Sequence, residues 1–334
     1  MKVAVIGAGG WGTALAMLLA RNGSEVTLWG RDSGFVRTLE STRENVPYLP
    51  GVILPHNIAL TSNLGDVSKA PLALIVTPSI AIRSISEKLA DIGLSNGTVL
   101  LSCTKGIEFD SGKRMTQILS EYFPANPVAV LSGPSHAEEV AREQPTAVVL
   151  GASDHDVAVE LQRHFSSPNF RAYTSQDVDG IELGGALKNI FAIAAGISDG
   201  IGLGDNTKAA LVTRALTELI RLGVALGGKR ETFQGLSGIG DLMVTCFSRH
   251  SRNRRFGERL GRGETLAVIQ AGARTVAEGV PTTKSAFQCA RREKITTPII
   301  DEMYSILYEG TPPSVALKRL LTRDPRPEAD DRSS

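Results

Sequence analysis

The chain has few of the features that mark secreted, metal-binding or membrane proteins. Its 334 residues include three cysteines, Cys103, Cys246 and Cys289, which are too few and too dispersed for a disulfide framework or a zinc site. The most apolar internal run, 190–197, falls short of the roughly 20 residues that cross a bilayer. The apolar segment after Lys2 is too short for a secretory signal. We therefore expect a soluble, cytoplasmic protein with no membrane span and no metal.

The chain also lacks an excess of charge of either sign. It has 36 Lys and Arg against 35 Asp and Glu, a formal net charge of +1. Without a general positive field it is not expected to bind nucleic acid, and any phosphate must be recognised by a local cluster. The length and a hydrophobic content of 42% predict two domains.

What the chain does have is glycine, placed at its start in an informative pattern. The apolar run 3–6 leads directly into Gly7-Ala8-Gly9-Gly10-Trp11-Gly12, a helix-forming segment follows, and a second strand is predicted at 25–29. In this context Gly-x-Gly-x-x-Gly predicts a dinucleotide site, with the pyrophosphate at the N-terminus of the helix. The alternative is a glycine-rich turn that only joins strand to helix.

The hydrophobic pattern of the chain changes near residue 175. Up to about residue 175, short apolar strands alternate with helices, which predicts a doubly wound sheet of the Rossmann type; further strands are expected at 72–76, 98–102, 128–131, 146–150 and 170–173. Beyond it only helical patterns occur. We predict a Rossmann domain over 1–177, an all-helical domain over 178–322 and a disordered tail over 323–334. Ser135 is predicted to open a helix through a capping box, and Asn206 to cap another.

Lys188 is unexpected in the apolar, small-residue helix predicted over 181–196. Helical spacing puts it on one ridge with Gly184, Gly185, Ala192 and Ala195, where a ligand could approach closely. Burial would lower its pKa towards the range useful for proton transfer. A lysine that extends over an apolar surface is the alternative.

Three further groups of residues are candidates for the site. Asp241 follows two glycines, as in a close backbone approach or as an ordinary helix cap. The segment 248–255 holds four arginines and suits a small phosphorylated ligand, although it could also be a solvated basic face. Lys105 follows a strand at the edge of the sheet where a cofactor should lie, although surface lysines are common in loops.

Six motifs together resemble one family over nearly the whole chain. They are Gly7 to Gly12, Ser102-Cys103-Thr104-Lys105-Gly106, Leu131-Ser132-Gly133-Pro134-Ser135, Gly185-Ala186-Leu187-Lys188-Asn189, Gly240-Asp241-Leu242 and Ser251-Arg252-Asn253. The chain resembles the bacterial NAD(P)-dependent glycerol-3-phosphate dehydrogenases. That resemblance implies reversible reduction of dihydroxyacetone phosphate to sn-glycerol 3-phosphate, feeding phospholipid synthesis, by a protein that is commonly a homodimer.

The resemblance also implies roles for individual residues. Lys188 corresponds to the catalytic acid/base, and Asp241 orients it or the substrate. Substrate contacts correspond to Lys105, Gly133, Ser135, Lys188, Asn189, Asp241, Ser251, Arg252 and Asn253. Cofactor contacts correspond to Gly7, Gly9, Gly10, Trp11, Gly12, Arg31, Lys105, Ala137, Arg252, Val276 and Glu278.

Cofactor preference depends on the end of the second strand. Arg31 stands where NAD enzymes usually place an acid, which favours NADP, but Asp32 is the next residue. We expect NADPH to be preferred with NADH tolerated. The alternatives for function are a nucleotide-sensing module without turnover and another dehydrogenase of the 3-hydroxy acid or 6-phosphogluconate type.

Overall fold

In the computed structural model, the first half of the chain forms one eight-stranded sheet covered by helices. The structure describes residues 1–272, 277–324 and 327–328. Val276 and most of the predicted tail lie outside these ranges. The strands are β1 Lys2–Ile6, β2 Glu25–Trp29, β3 Ile58–Thr61, β4 Leu72–Ile75, β5 Val99–Ser102, β6 Val128–Ser132, β7 Thr146–Ala152 and β8 Phe170–Ser175. The helices between them are α1 Gly10–Arg21, α2 Ser33–Thr42, α3 Ile82–Asp91, α4 Met115–Tyr122, α5 Ala137–Ala141 and α6 His155–Phe165.

The order of the strands creates the cleft that a dinucleotide site needs. The sheet runs β3-β2-β1-β4-β5-β6-β7-β8, so β1 lies between β2 and β4 and the chain crosses over at that point. All neighbours are parallel except β6 and β7. The strands β1 and β4 are almost fully buried because helices cover both faces. The Rossmann-type prediction is therefore confirmed, and the carboxyl ends of β1 and β4 border the crevice where ligands bind in this fold.

The second half of the chain contains only helices among the described residues. They are α7 Val178–Ile201, α8 Asp205–Ala225, α9 Arg230–Phe233, α10 Asp241–Phe247, α11 Arg252–Gly261, α12 Leu266–Ala271, α13 Gly279–Arg292, α14 Pro298–Tyr308 and α15 Pro313–Leu321, with one π-helical turn over Leu236–Gly240. Most of α7 is buried, from Gly180 to Ser198. By length and composition α7 is the one described helix that could cross a membrane, but its apolar window is 100% buried inside the protein, which is the pattern of a core helix.

Two predicted helix starts are wrong. The capping box at Ser135 does not form, because α5 begins after His136 and the Ser135 hydroxyl donates instead to the carbonyl of Gly133 at 3.0 Å. Asn206 does not cap α8, because the cap is Gly204 and the helix begins at Asp205. Neither β3 nor α2 was among the predicted segments. The strand β3 is an edge strand of four residues with one buried side chain, so it has almost no apolar pattern to recognise.

Candidate active site

The glycine loop after β1 is tightly packed on its inner side and open on its outer side. Gly7 has φ +124°, and a Cβ there would lie 2.5 Å from the carbonyl oxygen of Val76. A Cβ at Gly12 would overlap the carbonyl oxygen of Gly7, so α1 packs directly on the turn. Gly9, the N-cap of α1, has nothing within 4 Å of its Cβ position. The loop thus leaves open the backbone that a pyrophosphate must approach, which fits a dinucleotide.

A second helix end lies against this loop. A Cβ at Gly10 would meet the carbonyl oxygen of Tyr48 at 2.7 Å and the Cβ of Ala137, the first residue of α5, at 3.7 Å. The indole nitrogen of Trp11 is buried and has no hydrogen-bond partner within the described part of the chain. Gly10, Trp11 and Ala137, all predicted to contact the cofactor, therefore lie close together, and Trp11 retains a free donor.

Arg31 and Asp32, the two candidates near the end of β2, differ in their contacts. The carboxylate of Asp32 caps α2 and accepts a hydrogen bond from the backbone N–H of Phe35 at 2.6 Å. Arg31 is exposed and makes no hydrogen bond or ion pair to any described residue. The acid is therefore already engaged in a cap, whereas the guanidinium remains available to an anion.

The central feature of the helical half is a buried cluster of two lysines around one carboxylate. The Nζ of Lys188 donates to one oxygen of Asp241 and, at 2.8 Å, to the hydroxyl of Thr245. The Nζ of Lys105 donates to the other oxygen of Asp241 at 2.7 Å and lies 3.4 Å from the carbonyl oxygen of Gly133. The side chain of Lys188 is 7% exposed and that of Asp241 is 1% exposed. The alternative interpretations of Lys188 as a surface lysine and of Asp241 as a helix cap are wrong.

Small residues on α7 make this cluster possible. A Cβ at Gly184 would overlap the carbonyl oxygen of Ser237 in the π-helical turn that precedes Asp241. A Cβ at Gly185 would lie 2.5 Å from the hydroxyl of Ser132 at the end of β6 and 3.6 Å from the side chain of Lys105. The two glycines therefore let the sheet edge and the π-helical turn approach α7 on either side of Lys188.

The charges of the cluster control its ionisation. Burial lowers the pKa of Lys188 well below its usual range, and the nearby ammonium of Lys105 lowers it further, although Asp241 favours the charged form. Burial alone would raise the pKa of Asp241, but the charges of Lys105 and Lys188 outweigh it and hold that pKa below its usual value. The cluster therefore holds an ionised carboxylate beside a lysine that readily gives up its proton.

Asn189 and Asn253 form a chain of hydrogen bonds beside this cluster. The Asn253 amide nitrogen donates to the Asn189 side-chain oxygen at 2.9 Å, and its oxygen accepts from the backbone N–H of Gly279 at 2.9 Å. Asn253 thereby links α7, α11 and α13. A substrate role for these two residues stays a prediction, and each amide nitrogen still has a hydrogen that no strong bond uses.

The arginines of segment 248–255 lie in different environments in the structure. Ser251 caps α11 and accepts from the backbone N–H of Arg254 at 3.1 Å. Arg254 binds the carboxylate of Asp199 on α7, at 2.7 Å from Nε, so it is a structural residue. Arg252 is exposed and has no hydrogen bond or ion pair among the described residues. Arg249 and Arg255 are likewise exposed and without a hydrogen bond or ion pair among the described residues, but Arg252 is the one whose charge acts on Glu278, so Arg252 is the candidate for a phosphate.

Glu278 connects the helical half to the sheet. Its carboxylate accepts from the backbone N–H of Ser79 at 3.1 Å and from the Ser79 hydroxyl, in the loop after β4. Burial raises the pKa of Glu278. A Cβ at Gly106, next to Lys105, would overlap the side chain of Ser79. Glu278 therefore lies at the edge of the sheet where the parallel strands end, as Lys105 and Gly133 do.

One functional candidate, Thr245, was missed from the sequence. Thr245 holds the Lys188 ammonium, and it lies four residues after Asp241, on the same face of α10. The segment 77–79 is expected at the ligand edge because it follows a strand, but the contact of Ser79 with Glu278, across 199 positions of sequence, has no local signal. Gly133, already predicted as a substrate contact, follows β6 and has φ +136°. Among the described residues no group of histidine, cysteine, aspartate and glutamate could hold a metal.

Comparison with known proteins gives consistent matches to both halves. Residues 2–158 match the family model described as NAD-dependent glycerol-3-phosphate dehydrogenase N-terminus, and residues 177–318 match the corresponding C-terminus. The chain is 50% identical over 323 residues to glycerol-3-phosphate dehydrogenase [NAD(P)+] of Moorella thermoacetica, covering 96% of each. It is 48% identical over 332 residues to the protein of the same name from Chlorobium phaeobacteroides strain BS1, covering 98% of this chain and 99% of the relative.

A solved structure of a protein with the same name also matches the chain. The crystal structure of glycerol-3-phosphate dehydrogenase from Coxiella burnetii superimposes with a TM-score of 0.93 at 38% identity, covering 96% of this chain and 99% of that one.

Proposed function

The chain belongs to the NAD-dependent glycerol-3-phosphate dehydrogenase family, and from that premise we propose how its own residues carry out the reaction. It is an NAD(P)-dependent oxidoreductase that reversibly reduces dihydroxyacetone phosphate to sn-glycerol 3-phosphate. The matches do not favour a nucleotide-sensing module or a dehydrogenase of another substrate class. The observation that carries the proposed mechanism is the buried contact of Lys188 with Asp241 and Thr245.

The cofactor would be held by the loop Gly7 to Gly12 and by the N-termini of α1 and α5. When bound, it supplies the hydride that reduces the ketone carbon. Gly9 leaves room for the pyrophosphate, and the buried indole N–H of Trp11 has no partner among the described residues. Arg31 would bind a ribose phosphate, since Asp32 is used as a helix cap. We therefore infer a preference for NADPH over NADH.

Lys188 acts as the proton donor. As the ketone is reduced, negative charge develops on its oxygen, and the ammonium of Lys188 stabilises that charge and then transfers its proton. Asp241 and Thr245 fix the position of the ammonium, and Lys105 holds the second oxygen of Asp241. In the reverse direction the neutral amine takes the proton from the hydroxyl of glycerol 3-phosphate.

Arg252 fixes the substrate by its phosphate. It is the first residue of α11, next to Ser251 and Asn253, and it is exposed and unpaired among the described residues. A guanidinium binds phosphate through two parallel hydrogen bonds, which would set the distance of the carbonyl carbon from Lys188. Asn189 and Asn253 would meet the substrate hydroxyl with their remaining amide hydrogens.

An absorbance assay of NADPH oxidation with dihydroxyacetone phosphate tests these roles. Lys188→Ala should lower kcat by about 10²–10⁴, the usual contribution of a positioned acid, while Lys88→Ala on the exposed face of α3 should not change it. Arg252→Ala should raise KM for dihydroxyacetone phosphate about 10- to 100-fold, as expected for a charge-assisted hydrogen bond. Arg255→Ala, an exposed arginine on the same helix, is its matched control. Wild-type kcat in Lys188→Ala would refute the mechanism.

We propose four further properties that the family relationship supports. The protein is a cytoplasmic homodimer that supplies the glycerol backbone of phospholipids. Its cofactor and helical domains divide at residue 177, in the connection between β8 and α7. Light scattering on the purified protein should give twice the 35.5 kDa mass of the chain. Limited proteolysis that leaves intact fragments on either side of residue 177 would support the division.

A further inference from the structure

The N-terminus of α1 has no side-chain cap. Its N-cap is Gly9, which has no side chain to bond the N–H groups of the first turn. The first N–H groups of a helix have no partner within the helix, so at α1 they remain available to an anion. A loop that keeps these donors available must be held in place through its carbonyl groups or by packing.

Asn45 holds this loop by a carbonyl group. Its amide Nδ2 donates to the carbonyl oxygen of Ala8 at 3.0 Å and to the hydroxyl of Thr13 at 2.7 Å. Ala8 precedes the N-cap and Thr13 lies within α1, so one amide group spans the start of the helix. Both Asn45 and Thr13 are 0% exposed. The two hydrogens of the amide nitrogen are therefore both used on the glycine loop and its helix.

The oxygen of the same amide has no comparable contact. The Oδ1 of Asn45 is buried and accepts no hydrogen bond from any described residue. A buried acceptor without a donor costs free energy that offsets the gain from the two donated bonds, so this amide adds little net stability. Its own turn is closed by the backbone, since the Asn45 carbonyl accepts from the N–H groups of Tyr48 and Leu49. What the side chain supplies is the pair of donations to Ala8 and Thr13.

The bond to Ala8 fixes the direction of the next N–H group. The peptide between Ala8 and Gly9 is trans, so its C=O and N–H point in opposite directions. A carbonyl held towards Asn45 therefore turns the N–H of Gly9 away from Asn45. Gly9 is also the open part of the loop, because nothing lies within 4 Å of its Cβ position. Asn45 thus orients a backbone donor at the point that a ligand can approach.

The turn that begins at Asn45 packs against the loop as well. The carbonyl oxygen of Tyr48 lies 2.7 Å from the Cβ position of Gly10. The Tyr48 ring meets the ring of Phe35 edge to face, with centroids 5.7 Å apart, and Phe35 lies in the first turn of α2. One turn of the chain therefore contacts both the glycine loop and the helix that follows Arg31.

We propose that Asn45 is a positioning residue for the dinucleotide: it holds the glycine loop so that its N–H groups face the pyrophosphate of NADPH or NADH. Because Asn45 is fully buried, it acts through Ala8 and Thr13 and not by touching the cofactor. This inference rests on the proposed role of the loop Gly7 to Gly12. The pyrophosphate is common to both cofactors, so Asn45 should matter equally for both, whereas Arg31 should matter for NADPH.

Calorimetric titration of Asn45→Leu with NADPH and with NADH measures the effect. Leucine keeps the branched shape of asparagine but donates no hydrogen bond. The Kd for each cofactor should rise about tenfold, because the two hydrogen bonds that order the loop are lost. KM for NADPH should rise with it, while kcat and KM for dihydroxyacetone phosphate at saturating NADPH should stay at their wild-type values. An unchanged Kd, or an equal loss in kcat, would overturn the proposal.

Asn57→Leu is the matched control. Asn57 is exposed, and its amide nitrogen donates to the carbonyl oxygen of Ala20 at 3.3 Å, near the opposite end of α1. This variant loses a contact to the same helix but should leave both Kd values unchanged. A similar rise in Kd in Asn57→Leu would show that any loosened contact of α1 suffices, and would refute a specific role for Asn45.

A measurement without cofactor tests the loop itself. Amide hydrogen exchange over residues 7–13 should be faster in Asn45→Leu than in wild type, and exchange in β5 and β6 should not change. The urea unfolding midpoint should change little, since the unsatisfied oxygen is removed together with the donors. Unchanged exchange over residues 7–13 would contradict the proposal.

Thr13→Val gives a second, milder variant that removes one of the two acceptors. It should raise the Kd for both cofactors about threefold, and the double variant with Asn45→Leu should bind no more weakly than Asn45→Leu alone, because both changes act through one amide. Fully additive losses would refute this coupling. A wild-type protein that binds neither cofactor would refute the proposed role of the glycine loop itself, whereas wild-type affinity in Asn45→Leu refutes the assignment of Asn45 alone.

Discussion

Asp241→Asn tests the central cluster most directly, because it removes one charge while keeping the shape of the side chain. In the native protein one carboxylate faces the ammonium groups of Lys188 and Lys105. The amide would leave these two cations facing each other across a neutral group. Both the stability of the fold and the ionisation of Lys188 should therefore change.

The size of the stability loss follows from the burial of the three groups. Removing one partner of a buried ion pair typically costs about 3–5 kcal/mol. The Lys188 ammonium would keep its hydrogen bond to Thr245, and the Lys105 side chain, 20% exposed, would regain some hydration. We therefore expect a loss near ~3 kcal/mol, a large part of the ~5–15 kcal/mol that stabilises a folded protein.

The loss should depend on pH with a definite sign. Without the carboxylate, the pKa of Lys188 falls further below the value of ~10.4 that lysine has in an unfolded chain. The unfolded state then binds more protons than the folded state between these two values, so the stability of the variant should rise as the pH is raised through that range. In wild type this slope should be weaker, because Asp241 favours the charged lysine.

Urea unfolding and the NADPH oxidation assay together check the reasoning. Asp241→Asn should lower kcat by about 10²–10⁴, since its lysine is neutral at pH 7 and cannot donate a proton. The double variant Asp241→Asn with Lys188→Met removes the lysine that the fold must bury without a carboxylate partner, and it should recover at least half of the lost stability while remaining inactive. A single variant as stable as wild type, or a double variant no more stable than the single one, would refute this account of the cluster.

Three further predictions follow from contacts elsewhere. Arg31→Ala should lower kcat/KM for NADPH about 10- to 100-fold and leave NADH nearly unchanged, and equal losses with both cofactors would contradict the assignment. Burial raises the pKa of Glu218 to about 8, so the folded protein binds more protons than the unfolded chain between pH ~4.3 and 8, and stability should fall as the pH rises across that range. Glu218→Gln should flatten this slope in melting temperatures measured at pH 5 and 8.5. Gly257→Ala should destabilise the protein by at least ~1–3 kcal/mol, because the added methyl overlaps the carbonyl oxygen of Ile193, and a wild-type urea midpoint would show that the helices can separate freely.

Most of the fold could be predicted from the sequence because its signals are local. The strand β2 and the helix α7 lie where the apolar patterns place them, and the glycine loop lies between β1 and α1. The helices α10 and α11 were missed, because the first is preceded by a π-helical turn and the second is rich in arginine. In both, tertiary packing rather than an apolar stripe decides the structure.

The site was predicted less completely, because side-chain pairing depends on residues far apart in the chain. The sequence indicates that Lys188 and Asp241 are unusual, but only the fold shows that they meet, across 53 positions. The sequence does not distinguish the four arginines of segment 248–255 from one another. In the structure, the ion pair of Arg254 with Asp199 distinguishes it from Arg252, which has none among the described residues. Such distinctions depend on which carboxylates lie nearby after folding.

Lys188 and Arg252, the proposed proton donor and the proposed phosphate-binding arginine, are both positioned by one helix, α7. Gly184 and Gly185 admit the π-helical turn and the sheet edge on either side of Lys188, whereas a Cβ at Gly196 would overlap the backbone of Arg254, so α11 packs directly against α7. Backbone contacts of this kind can relax only if a whole helix moves. The separation between Lys188 and Arg252 is therefore set by helix packing rather than by flexible side chains. A substrate must then place its phosphate and its carbonyl at that fixed separation. On the proposed roles, a three-carbon ketone phosphate would be selected by its length as well as by its charge, and mutations at Gly184 and Gly196 should impair catalysis without touching any group that reacts.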